Sequence, residues 1–106
     1  MNEQSKKRNK HFLDKENWPR THEAAVSLMI EKLSHDWKET IAATDYSKLV
    51  NLNRLLGMGI RNYLGLWRGN EELMKSCLQL RKMVQLDPDV VSLIIIEEIW
   101  KRLNEK

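Results

Sequence analysis

At 106 residues, 42 % hydrophobic and 31 % charged, the chain is of single-domain size and can bury a core without disulfides or metal. Its lone cysteine, Cys77, excludes an intrachain disulfide and suits a reducing cytoplasm, and no apolar run is long enough to span a bilayer. The net charge of +3 lies wholly in residues 1–20, so the remaining body is charge-balanced and lacks the basic face of a dedicated DNA-binding domain.

Residues 1–17 read as a basic, flexible tail without sustained periodicity, although Phe12 and Leu13 are apolar enough to lie on the body. Met1 to Arg8 turns charged with no apolar run behind it, so no signal peptide is expected. A single helical domain is expected over residues 18–106. Trp18-Pro19 precedes Thr21, an N-cap for a helix from about His22 to Leu33 that buries Val26, Ile30 and Leu33. Ser34 caps a short second helix carrying Trp37 and Ile41 and ending near Ala43.

Asp45 or Ser47 then opens a central helix from about Ser47 to Leu64, with Leu49, Leu52, Leu56, Gly59 or Ile60, and Tyr63 inward. Gly65 fits the left-handed position that ends such a helix. Asn70 caps a fourth helix, with Leu73, Met74, Cys77, Leu78 and Leu80 on its buried side and a frayed end at Arg81-Lys82. Asp87 as cap, Pro88 at the first position and Asp89 behind it form the strongest start signal in the chain. That last helix should reach Leu103, turning Val90, Leu93, Ile94 or Ile96, Trp100 and Leu103 inward. The expectation is all-α, a compact bundle of about five helices.

All four glycines fall between Leu55 and Asn70. Glycine inside a helix is unfavourable by about 1 kcal/mol relative to alanine, so this clustering needs a reason. Gly57 and Gly59 would leave grooves for the close approach of another helix, and Gly59→Leu would then overpack that contact. Cys77 reads as a buried small hydrophobe rather than a reactive thiol.

Little here resembles catalysis. His11, His22 and His35 have no metal-ligand spacing, and no Gly-x-Ser-x-Gly elbow is present. Gly57-Met58-Gly59 lies mid-helix and lacks the third glycine of a dinucleotide loop. Adjacent carboxylates on a helix point about 100° apart, so Glu71-Glu72 and Glu97-Glu98 cannot share a proton as a dyad. The first pair, like Asp87 and Asp89, complements a helix start, and Glu97-Glu98 reads as a solvated stripe.

Arg61 sits between Ile60 and Tyr63 and cannot be far from the core, so it needs a carboxylate partner, for which Asp87 and Asp89 are candidates. Two readings stay open. Arg61 is either a helix-to-loop clamp, with Asn62 bonding the backbone around Trp67-Arg68-Gly69, or a group that grips the phosphate or carboxylate of a partner. Trp67 and Trp100 are likewise either core residues or interface anchors.

The run Leu56-Gly57-Met58-Gly59-Ile60-Arg61-Asn62-Tyr63-Leu64-Gly65-Leu66-Trp67, followed by Pro88-Asp89-Val90-Val91-Ser92, Trp100 and Leu103, resembles a small bacterial family of unknown function. That family has a Leu-Gly-x-x-Ile-Arg-Asn-x-x-Gly-Leu-Trp centre and a Pro-Asp-Asp-x-Ser turn, and the likeness covers about residues 18–103. The chain departs at Asn53, where a histidine is expected, and at Val90, where an aspartate is expected. The resemblance implies a compact helical domain of bacterial origin and no transferable activity.

The expected function is a cytoplasmic protein-interaction module, of inhibitor or immunity type or an accessory subunit, without catalytic residues, metal or cofactor. Arg61, Asn62, Trp67, Arg68, Asn70, Asp87 and Asp89 are its candidate structural or partner contacts. The alternative is a nucleic-acid-binding accessory protein that uses Lys6, Lys7, Arg8 and Lys10 as a basic arm.

Overall fold

The computed structural model describes residues 12–105, and these form six α-helices with no strand among them. They are α1 (His22–Lys32), α2 (His35–Ala43), α3 (Leu49–Leu55), α4 (Gly57–Tyr63), α5 (Glu71–Leu80) and α6 (Pro88–Leu103), with single 3-10 turns at Lys15–Asn17 and Tyr46–Lys48. Lys6, Lys7, Arg8, Lys10 and His11 lie outside the described residues.

The starts follow local chemistry. Thr21, Ser34, Asn70 and Asp87 each accept a backbone N–H of the following turn through the side chain, capping α1, α2, α5 and α6. The single long central helix is corrected to two. The Leu56 N–H is shared between the carbonyls of Leu52 and Asn53, and the ladder tightens there before Gly57 restarts it as α4.

Helix α6 is the axis of the fold and packs against each of the other five. Ile94, Ile95 and Ile96 are all buried, and three consecutive helical residues sweep about 200° of arc. Only a helix covered on more than half its circumference can bury all three. Its innermost line is Val91, Ile95 and Ile99, while Val90, Leu93, Trp100 and Leu103 are half-buried at the margins. The expected inward face is therefore rotated, because a one-sided stripe is the wrong template for an encircled helix.

Helix α5 ends at Leu80, which is exposed. Its last turn does not fray. The N–H groups of Lys82 and Met83 bond the carbonyls of Gln79 and Leu78, a closed left-handed cap with Lys82 at φ 57°. A side chain is strained in that conformation, so Lys82→Gly should raise stability by about 1 kcal/mol in urea unfolding.

Arg81, the C-cap residue within that turn, donates to Glu97 at 2.9 Å and Glu98 at 3.0 Å, and Lys101 reaches Glu98 at 3.2 Å. Glu97 and Glu98 are thus not a solvated stripe but the link between α5 and α6. Burial alone would raise the Glu98 carboxyl, yet the hydrogen bonds and charges of Arg81 and Lys101 outweigh it and hold the group below its ordinary value. The stabilisation is complete above the unfolded glutamate value of about 4.3 and disappears as pH falls through the lower folded value. Glu98→Gln should flatten that acid limb by about 1 kcal/mol, read as the pH dependence of the urea midpoint.

Cys77 faces the same core and is fully buried. Burial pushes its thiol up to about 12 against the opposing pull of Arg81, with Glu98 adding to the rise. It is a packing group, held protonated.

Candidate functional site

Asn53, Gly57 and Arg61 follow one another at four-residue steps, so they share one edge of the α3–α4 pair. That edge faces the first turns of α6. A methyl at Gly57 would collide with Asn53 Oδ1 and the Arg61 guanidinium, so this glycine admits two side chains rather than another helix. Among the described residues, nothing lies within 4 Å of where a Gly59 Cβ would stand. None of the helices makes the expected close approach there, and Gly59→Leu has no overpacked contact to make with them.

The side chain of Arg61 is nine-tenths buried. Its Nη1 donates to Ser92 Oγ at 2.9 Å and to Asp89 Oδ1 at 3.0 Å. Ser92 Oγ in turn lies 2.7 Å from Asn53 Oδ1 and 3.0 Å from the Asp89 carbonyl, either of which can take its proton. Asn53 Nδ2 donates to that same carbonyl at 3.0 Å. The Trp67 ring covers the guanidinium with its centroid 5.7 Å from the central carbon, a cation–π distance. Nε is buried without an acceptor among the described residues.

Of the two carboxylates weighed for Arg61, Asp89 makes the pair, while Asp87 caps α6 by accepting from the Asp89 N–H at 3.0 Å. Asp89 is two-thirds exposed, so a buried cation is matched with a counter-ion that reaches in from solvent. A cleft of about 350 Å³ opens beside them, lined by Val50, Asn53, Arg54, Arg61 and Asp89.

Every residue of this cluster falls within residues 18–103, the span that matches a family described as a domain of unknown function, DUF6794. The chain belongs to the DUF6794 family. No curated protein and no solved structure matches it.

Of the other candidates in the DUF6794 segment, Asn70 and Arg68 make their contacts away from the Arg61 cluster. Asn70 is buried and joins three elements, donating to the carbonyls of Leu64 at 2.8 Å and Pro19 at 3.2 Å while its Oδ1 accepts from Leu73. Arg68 lies over the rings of Phe12 and Trp18, 4.5 and 5.5 Å from their centroids, and donates to the Leu13 carbonyl at 3.2 Å. Asn62 is exposed, and the bond expected of its side chain runs the other way: Arg68 Nη2 donates at 3.4 Å to the Asn62 carbonyl. Trp100 is held by Tyr46 edge-on and by an indole bond of 2.8 Å to the Thr44 carbonyl, whereas Trp67 is 57 % exposed.

Leu55 is 73 % and Met58 58 % exposed, and steps of three and four residues along the chain relate them to Gly59 and Asn62. Gly59, Asn62 and Trp67 line one depression, and Leu55 and Met58 each stand four residues before one of its helical lining residues. Among the described residues no three His, Cys, Asp or Glu side chains gather as metal ligands, and no helix is long and apolar enough to cross a membrane. Sequence reasoning missed Ser92 and Asn53 as parts of the Arg61 cluster. The available signal was a serine inside the apolar run Val90 to Ile96 and an asparagine eight residues before the arginine.

Proposed function

We propose that this DUF6794 protein is a bacterial, cytoplasmic protein-interaction module without catalysis of its own, either an inhibitor or immunity-type protein or an accessory subunit. One observation carries the reading: Leu55 at the end of α3, Met58 on α4 and Trp67 in the loop after it are each more than half exposed. Single exposed apolar residues need no explanation, but adjoining ones are surface that a partner can take from water at about 25 cal/mol per Å². A tryptophan already fixed by stacking on Arg61 loses little freedom on binding and suits an anchor.

The test is affinity capture from the native host with the full chain and with a Leu55→Glu/Met58→Glu variant. One partner protein retained by the wild type and lost by the variant, at unchanged melting temperature, is the expected result. Capture indifferent to both charges would refute this face. Nucleic acid recovered by the full chain and lost on removal of residues 1–11 would assign the function to the basic arm instead.

A further inference from the structure

Two arginines share the cleft between α3, α4 and the first turn of α6, and both retain unused donors. Arg61 is nine-tenths removed from bulk water, and an N–H group that is fully buried needs an acceptor nearby. Only Nη1 has protein acceptors. Nε has none, and Nη2 forms no hydrogen bond to the described residues. Arg54 is exposed and makes no ion pair among them.

Among the described residues Asp89 is the only carboxylate on the walls, set against two guanidinium groups. The freedom of the partners differs as well. Asp89 is two-thirds exposed and can turn to water, whereas Arg61 is fixed by Ser92, Trp67 and its own burial. Planar guanidinium groups with spare N–H donors are the side chains best matched to oxyanions.

We infer that this cleft is an oxyanion-binding site, in which a carboxylate or phosphate group is held by Arg54 and Arg61 in competition with the Asp89 carboxylate. The site adjoins the apolar face, since Trp67 stacks on Arg61 and Leu55 follows Arg54, but anion binding here requires no partner protein and is tested without one. Val50, half-exposed on the rim, gives the remainder of a larger ligand an apolar contact.

The experiment is an NMR titration of the full chain with inorganic phosphate and, separately, acetate at constant ionic strength, following the amides of Asn53, Gly57, Asp89 and Ser92. The expected result is saturable shifts confined to these positions. Arg54→Ala should weaken the binding about tenfold, as expected for one charge-assisted contact. Asp89→Asn, which keeps an acceptor oxygen for Arg61 while removing the competing charge, should tighten it. Saturation by phosphate alone supports a phosphoryl ligand, and saturation by acetate as well supports a carboxylate ligand. Shifts that do not saturate, an affinity unchanged in Arg54→Ala, or no tightening in Asp89→Asn would each overturn the assignment.

Discussion

Gly65→Ala should destabilise the protein by about 3–5 kcal/mol, the loss attached to displacing a buried aromatic together with a strained backbone. Gly65 follows α4 at φ +75°, with its N–H on the Asn62 carbonyl and the Leu66 N–H on that of Arg61, so the chain reverses through a left-handed residue. Its missing Cβ is also the seat of Trp18, whose indole occupies the space that a methyl would need. Trp18 is buried and donates to the Leu13 carbonyl at 3.2 Å, so it cannot shift without releasing the segment before α1. Thermal unfolding should show a fall of more than about 10 °C, given 4–8 °C per kcal/mol for a domain of this size. The cause can be separated by a double-mutant cycle. In a Trp18→Ala background the same alanine should cost only the left-handed strain, and strict additivity would refute the contact.

Asn70→Asp should be nearly as damaging, at about 3 kcal/mol near neutral pH, although it changes one NH₂ for an oxygen. The cap to Leu73 survives, but an acceptor replaces the donor that satisfies the carbonyls of Leu64 and Pro19. Three oxygens would then face one another in a site that is 1 % exposed. The introduced carboxyl would have a folded-state pKa above its unfolded value of about 3.9, since only the protonated form can donate. Its penalty is therefore largest above the folded value and eases as pH falls through it. Urea unfolding of both proteins at neutral and mildly acid pH reads the difference. A variant no worse than Asn70→Ala, or one whose deficit is unchanged in acid, would show that the donor is dispensable.

The legible parts of this fold are those decided within a few residues. Thr21, Ser34, Asn70 and Asp87 cap helices because an N-cap needs only its own next turn, and Gly65 ends α4 for the same reason. What needed the rest of the molecule was misread. The phase of α6 depends on five neighbours rather than one, and Glu97 and Glu98 depend on where Arg81 emerges from α5. Gly57 and Gly59 look alike in sequence, yet Asn53 and Arg61 fill the space at one and no other described residue approaches the second. The Arg61 pair with Asp89 was within reach because an arginine forced inward must find an acid. Ser92 and Asn53 were not, since the bond between them joins residues 39 apart.

The central position of α6 also bears on how the chain comes into being. Synthesis runs from the N-terminus, so α1 to α5 leave the ribosome before the helix that each of them packs against. Until Ile94 to Ile99 emerge, the apolar sides of five helices have only one another to cover them, and most of their native contacts have no partner. Stable structure should then arrive in one step that waits on α6, and the wait is a window in which chaperones and proteases can act. A chain stopped before Pro88 has five helices' worth of sequence and no axis to assemble on. Such fragments should be cleared rather than accumulate as partial domains, which makes α6 a checkpoint on the completeness of this helical unit.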